Sequence, residues 1–374
     1  MIDFDKFVVM RENFLEELNI AIDKVIREKE SMNLDYDLLE KALGVMLRNV
    51  KRLEEQPITI LIPIKKEKVL KIVLDFFKSI DSEFYNKAIN TILQQTENIK
   101  MRIYNVHEIE DFSEEDEVGL LKYTQNANVE GIDGYASVHI PTKKELDSEE
   151  EKILGKDECG LEDLYAVVHE TSHLFDLDLE KGKPDKEELV GGQEKRKLRI
   201  TRELLGKATA IAFEGLLSEY LLSNTEISKD AIQKMDVLRV NSYLNDARLV
   251  YAKLLLAREK SKNGEITLEF VEKLMKDNGF SMQYIRRMAN NIIHNPHDML
   301  YQKRYALGGL IAPTIIRKYI EEGPRTLKRY LEEAKNENFE GAINALGIQL
   351  TKEGINQLII NIKEQISRIE MKAR

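Results

Sequence analysis

A chain of 374 residues with 43% hydrophobic content can fill one large core or two fused lobes, and its single cysteine, Cys159, excludes an internal disulfide. Its formal net charge of -10, with acids and bases interleaved, argues against a nucleic-acid binder, which concentrates basic charge on one face. No stretch approaches the roughly 20 apolar residues that span a bilayer and none reads as a secretory leader, so a cytoplasmic protein without membrane residence is expected.

Apolar residues recur at helical spacing from Phe4 to about Glu30 and from Tyr36 to about Glu54, as in Phe14, Leu18, Ile22 and Val25. Pro57 interrupts the pattern, Ile58 to Ile64 is a short β-prone run, and Val69 to Leu93 returns to helical spacing. Residues 1–98 thus read as a helical amino-terminal lobe. Three segments of strand character follow, Met101 to Val106, Leu120 to Tyr123 and Tyr135 to Ile140, and predict a small sheet. An acidic loop then leads into a helix from Leu161 to about Phe175. The polar stretch Asp176 to Lys197 reads as a surface excursion, and beyond it the chain is helical almost to its end. The expected class is mainly α with a small β-sheet, with residues 99–374 forming a second domain.

The helix from Leu161 carries His169-Glu170-Thr171-Ser172-His173, an HExxH pattern. Two His four apart share one helix face, so both imidazoles can reach one zinc ion, while Glu170 stands beside the water that the metal activates. Zinc lowers the pKa of that water towards about 7, and the carboxylate takes its proton and later passes it to the leaving amine. One zinc per chain is expected.

Catalytic zinc usually takes three protein ligands, so a third is needed. His294, His297, Glu214 and Glu219 are candidates. Glu214 lies in a run, Ile200 to Leu222, that is apolar nearly all round, and at helical spacing it shares a face with Ala210, Ile211, Leu217 and Leu221. A carboxylate buried there needs a cation, either zinc or a buried Arg or Lys. Ala208, Thr209, Ala210, Ala212 and Gly215 are small enough for close approach to the His helix. Asp176 is placed to be an outer acceptor orienting a ligand imidazole.

Three blocks in order resemble the oligoendopeptidase F and thimet oligopeptidase family of zinc peptidases. They are Gly134-Tyr-Ala-Ser-Val-His-Ile-Pro141 followed by the HExxH helix; Phe213-Glu214-Gly-Leu-Leu with Tyr220-Leu-Leu behind it; and Arg304-Tyr305-Ala-Leu-Gly308 followed by Glu321-Glu322-Gly323. The likeness spans roughly residues 130–360. It implies a zincin-like fold, Glu214 as third zinc ligand, the strand Tyr135 to Ile140 as an edge against which peptide pairs, and Tyr301, Tyr305 and His297 as residues that bind the tetrahedral intermediate. This chain departs from the family pattern at Ser172, where Gly is usual, in a longer segment between His173 and Glu214, and at Lys207, where the family tends to carry an acid. It is also shorter than typical members.

The expected function is therefore a zinc-dependent endopeptidase of oligopeptides, working through a zinc-bound water activated by Glu170. A zincin acting on a specific protein or precursor and a zinc-binding protein without turnover are the competing readings. The partner expected is a peptide substrate. The sequence leaves peptide specificity and oligomeric state open.

Overall fold

The computed structural model describes residues 4–31, 36–51, 53, 62–94, 128–132, 135–139, 158–176, 193–294, 302–336 and 338–372. In chain order its elements begin with α1 (Phe4–Ser31), α2 (Tyr36–Asn49), β1 (Ile64–Lys65), α3 (Lys66–Ile80), α4 (Ser82–Gln94), β2 (Asn128–Ile132), β3 (Tyr135–His139) and β4 (Glu158–Cys159). There follow α5 (Leu161–Asp176), α6 (Gln193–Asn224), α7 (Lys229–Asn263), α8 (Leu268–Asn278), α9 (Met282–His294) and α10 (Lys303–Glu322). The chain ends with α11 (Pro324–Lys335), α12 (Phe339–Ala345) and α13 (Lys352–Lys372). The fold is mainly helical, as expected. Among the described residues, no helix is long and apolar enough to cross a membrane.

The chain divides into two compact units built from non-contiguous segments. The first comprises Met1–Arg52, Gly191–Ile200 and Asn241–Leu307, and the second Leu53–Val190, Thr201–Val240 and Gly308–Arg374. The stretch read from sequence as an amino-terminal lobe is therefore shared between them.

Among the described residues, the small sheet expected from three strands is not seen. The strands form two separate two-stranded antiparallel ladders, β1 with β4 and β2 with β3. Met101 to Val106 and Leu120 to Tyr123 lie outside the described residues. The expected strand at Tyr135 is present as β3, but its partner is the adjacent segment Asn128–Ile132, with Val129 opposite Val138 and Ile132 opposite Tyr135. A hairpin satisfies both strands locally, without long-range pairing.

In the first unit α1 packs along α9, and Lys24 Nζ donates to the carbonyl of Ile293 at 2.6 Å, where the last turn of α9 leaves acceptors free. Glu28 and Lys303 form a buried ion pair at 3.2 Å. Burial pushes the Asp246 carboxyl up to about 7, with Lys253 pulling the other way.

In the second unit the continuous apolar spacing of Val69 to Leu93 is split into α3 and α4 at Asp81, whose backbone is extended (φ -170°, ψ 151°). Its carboxylate accepts from the backbone N–H of Glu83 at 2.8 Å, capping α4. Helix α5 starts in a similar way: the Asp163 carboxylate reaches back to the N–H of Gly160 at 2.7 Å, and Glu162 and Asp163 place negative charge in the first turn. Gly323, at φ 75°, makes the turn that lets Pro324 start α11.

An aromatic cluster fixes the two helices that carry the HExxH pattern and Glu214. Phe175 of α5 and Phe213 of α6 have ring centroids 5.5 Å apart, and both meet Phe77 of α3 (5.2 and 5.6 Å) and Phe84 of α4 (4.8 and 5.8 Å). Such pairs contribute about 0.5–1.5 kcal/mol each beyond the area they bury. Phe175 is two residues after His173 and Phe213 is next to Glu214, so the cluster sets the register of α5 against α6. Helix α5 also packs against α11 and against the β2–β3 hairpin.

Candidate metal and catalytic site

Helix α5 is buried over most of its circumference through Leu161, Leu164, Tyr165, Val167, Val168 and Phe175. His169, Glu170 and His173 project from it so that one ligand atom of each lies within 4.8 Å of the others. The two imidazoles stand edge to face with centroids 5.3 Å apart, and His169 Nε2 is 3.9 Å from Glu170 Oε1. Ser172, fully buried, turns its hydroxyl back to donate to the carbonyl of His169 at 2.5 Å. In that way the helix accommodates a side chain where the resemblance implies glycine.

Glu214 on α6 meets one of the cations that its burial called for, an arginine, and a histidine ring beside it. One carboxylate oxygen accepts from His169 Nδ1 and the other accepts from Nε of Arg239 on α7. It stands outside the group of three ligand atoms, on the other edge of the His169 ring. Arg239 uses its remaining nitrogens on Asp236 Oδ1 at 3.2 Å and the carbonyl of Ile211 at 3.3 Å, and lies 5.0 Å over the ring of Tyr165, one turn before His169. Asp236 also accepts from the Ser218 hydroxyl at 2.5 Å, and Ser218 lies 2.8 Å from the Tyr165 hydroxyl. Burial, reinforced by Asp236, raises the Tyr165 hydroxyl well above the usual phenol range, so it stays protonated. The network therefore ties α5, α6 and α7 around one carboxylate.

His169 Nε2 lies 2.8 Å from the Lys207 ammonium. Its side chain is only 12% exposed, and burial first and Lys207 second push its pKa below the ordinary value, against the pull of Glu214 and Glu170. The ring is accordingly neutral near pH 7, with its proton on Nδ1 facing Glu214 and its lone pair on Nε2. A neutral, carboxylate-oriented imidazole is the form that ligates a metal. Two imidazoles and a carboxylate gathered on one buried helix face fit a divalent cation.

Among the described residues, the group of three ligand atoms is made by His169, Glu170 and His173. Tyr301 and His297 lie outside the described residues, as does the Asp176 side chain. Tyr305 is half-buried at the start of α10, in the first unit, and His294 is exposed at the end of α9. Glu219 lines a cleft with Asp236, Arg317, Glu364 and Arg368. Arg239, Asp236, Ser218 and Tyr165 were not singled out from sequence. A signal existed in Asp236 and Arg239, two opposite charges three apart on a helix with Met235 and Ile232 buried beside them.

No protein-family model and no curated protein sequence matches this chain. Among solved structures, a protein from Chlamydophila abortus described as a putative peptidase is similar with a TM-score of 0.56 and 12% identity, over 91% of this chain. The chain spans 56% of that protein's length. The likeness is one of fold.

Proposed function

We propose that this chain is a zinc-dependent endopeptidase of oligopeptides. The observation that carries the reading is the convergence of His169, Glu170 and His173, with ligand atoms within 4.8 Å of one another on one buried helix face. The fold shared with a protein described as a putative peptidase supports hydrolysis of peptide bonds, and the resemblance of the three sequence blocks supports short peptides as substrates.

His169 and His173 hold the metal, and Glu214 fixes the His169 ring through Nδ1 or completes the shell itself. Zinc at these ligands supplies Lewis acidity towards water and a peptide carbonyl. Glu170 accepts the proton of the attacking water and returns it to the leaving amine. Arg239 holds the Glu214 carboxylate aimed at His169. Tyr301, Tyr305 and His297 are retained as candidates for binding the tetrahedral intermediate.

The test combines metal analysis with cleavage of a mixed peptide library, with and without chelator. The expected result is close to one zinc per chain, lost in His173→Ala, and cleavage abolished by the chelator. Glu170→Gln should keep the zinc and lose turnover by orders of magnitude. A wild-type protein that binds no zinc, or a fully active Glu170→Gln enzyme, would overturn this reading.

A further inference from the structure

Two contacts, from Glu214 and from Lys207, meet opposite edges of the His169 ring. Glu214 accepts the hydrogen on His169 Nδ1, which leaves the ring's lone pair on Nε2, and the Lys207 Nζ stands 2.8 Å from that nitrogen. An ammonium has donors and no acceptor, so Lys207 donates here and the imidazole accepts. The lysine is held in place by its helix. It lies seven residues before Glu214 on α6, on the same face, and Gly308 of α10 packs so closely on α6 that an added Cβ would lie 3.3 Å from the backbone of both Lys207 and Ala208.

Nε2 is also the nitrogen that lies 3.9 Å from Glu170, and with Nδ1 taken by Glu214 it is the one left for a metal. A lone pair serves one electrophile at a time. Resting on the metal reading above, we propose that Lys207 is a built-in competitor for the metal: its ammonium and a divalent cation are alternative partners of His169 Nε2. Metal uptake requires the lysine to swing away, and its charge beside a dication lowers affinity further. The outcome is a site whose filling depends on the free metal concentration, with Lys207 setting the threshold.

The experiment compares the full-length protein with Lys207→Met and Lys207→Gln. Zinc affinity is measured by competition with a chromophoric chelator, and the thermal midpoint is taken without added metal. The expected result is zinc binding roughly tenfold or more tighter in Lys207→Met, as loss of a charge-assisted hydrogen bond and a neighbouring charge implies. The gain should disappear when His169→Ala is added. Lys207→Gln should also bind more tightly than wild type, and it carries the comparison if the Met variant fails to fold. Unchanged or weaker zinc binding in the folded variants, beside a wild type that binds zinc, overturns the competition and leaves the metal reading standing. A lowered thermal midpoint with unchanged affinity marks a structural lysine and overturns it too. Absence of zinc from the wild type and both variants overturns the metal reading and this proposal together.

Discussion

Replacing Glu214 with Gln separates the two roles open to this residue. The side chains of Glu214 and Arg239 are only 10% and 13% exposed, so their pairing is largely desolvated. Breaking a buried pair by removing one charge costs about 3–5 kcal/mol when the other charge is stranded. Arg239 is not stranded, because it keeps Asp236 at 3.2 Å and the Ile211 carbonyl at 3.3 Å, and the new amide oxygen still accepts. The expected loss is therefore about 2–3 kcal/mol, measured by urea unfolding in chelator. Zinc affinity should fall about 10- to 100-fold if Glu214 orients His169 from outside the shell, and far more if it is itself a ligand. Glu219→Gln should change neither quantity strongly. A Glu214→Gln variant within about 0.5 kcal/mol of wild type, with unaltered zinc binding, would refute the reasoning from burial and pairing.

Gly308→Ala places a Cβ 2.8 Å from Ile211 Cδ1 and 3.3 Å from the α6 backbone, so it should destabilise by about 1–3 kcal/mol in urea unfolding, and a neutral result would show that α10 and α6 have room to part. Asp246 retains its proton up to about 7 in the native state, whereas the unfolded chain loses it near 3.8, so between those values the unfolded state binds fewer protons and stability falls as pH rises. Unfolding free energies from pH 4 to 8 should show a decline of at most about 4 kcal/mol that Asp246→Asn removes; an unchanged slope in that variant assigns the decline elsewhere.

The helix bearing the HExxH pattern was legible almost to the residue, Leu161 to about Phe175 against Leu161–Asp176, because apolar spacing, capping residues and functional spacing agree there. The break at Asp81 was not, since apolar spacing runs through it and only a side-chain cap marks it. Helix α6 begins at Gln193, inside the stretch read as a surface excursion, because its first turns are charged and lack an apolar stripe to reveal them. The need of Glu214 for a cation was legible from the apolar run around it. Which cation it finds was not: Arg239 is 25 residues away, and only the packing of α7 brings it near.

The aromatic cluster has a consequence for the order in which the protein becomes competent. Phe77 and Phe84 come from α3 and α4, which precede the histidines in the chain, while Phe213 arrives on α6, well after them. During synthesis α5 can dock on α3 and α4 first, but its second flank stays unfilled until Phe213 has emerged and α6 closes over it. Glu214 follows Phe213 directly, so the side chain that meets His169 Nδ1 arrives with the residue that completes the aromatic cluster. On the proposed metal reading, metal capture is thereby coupled to the docking of α6 on α5, and a chain truncated before α6 should bind the metal weakly even with its HExxH helix intact.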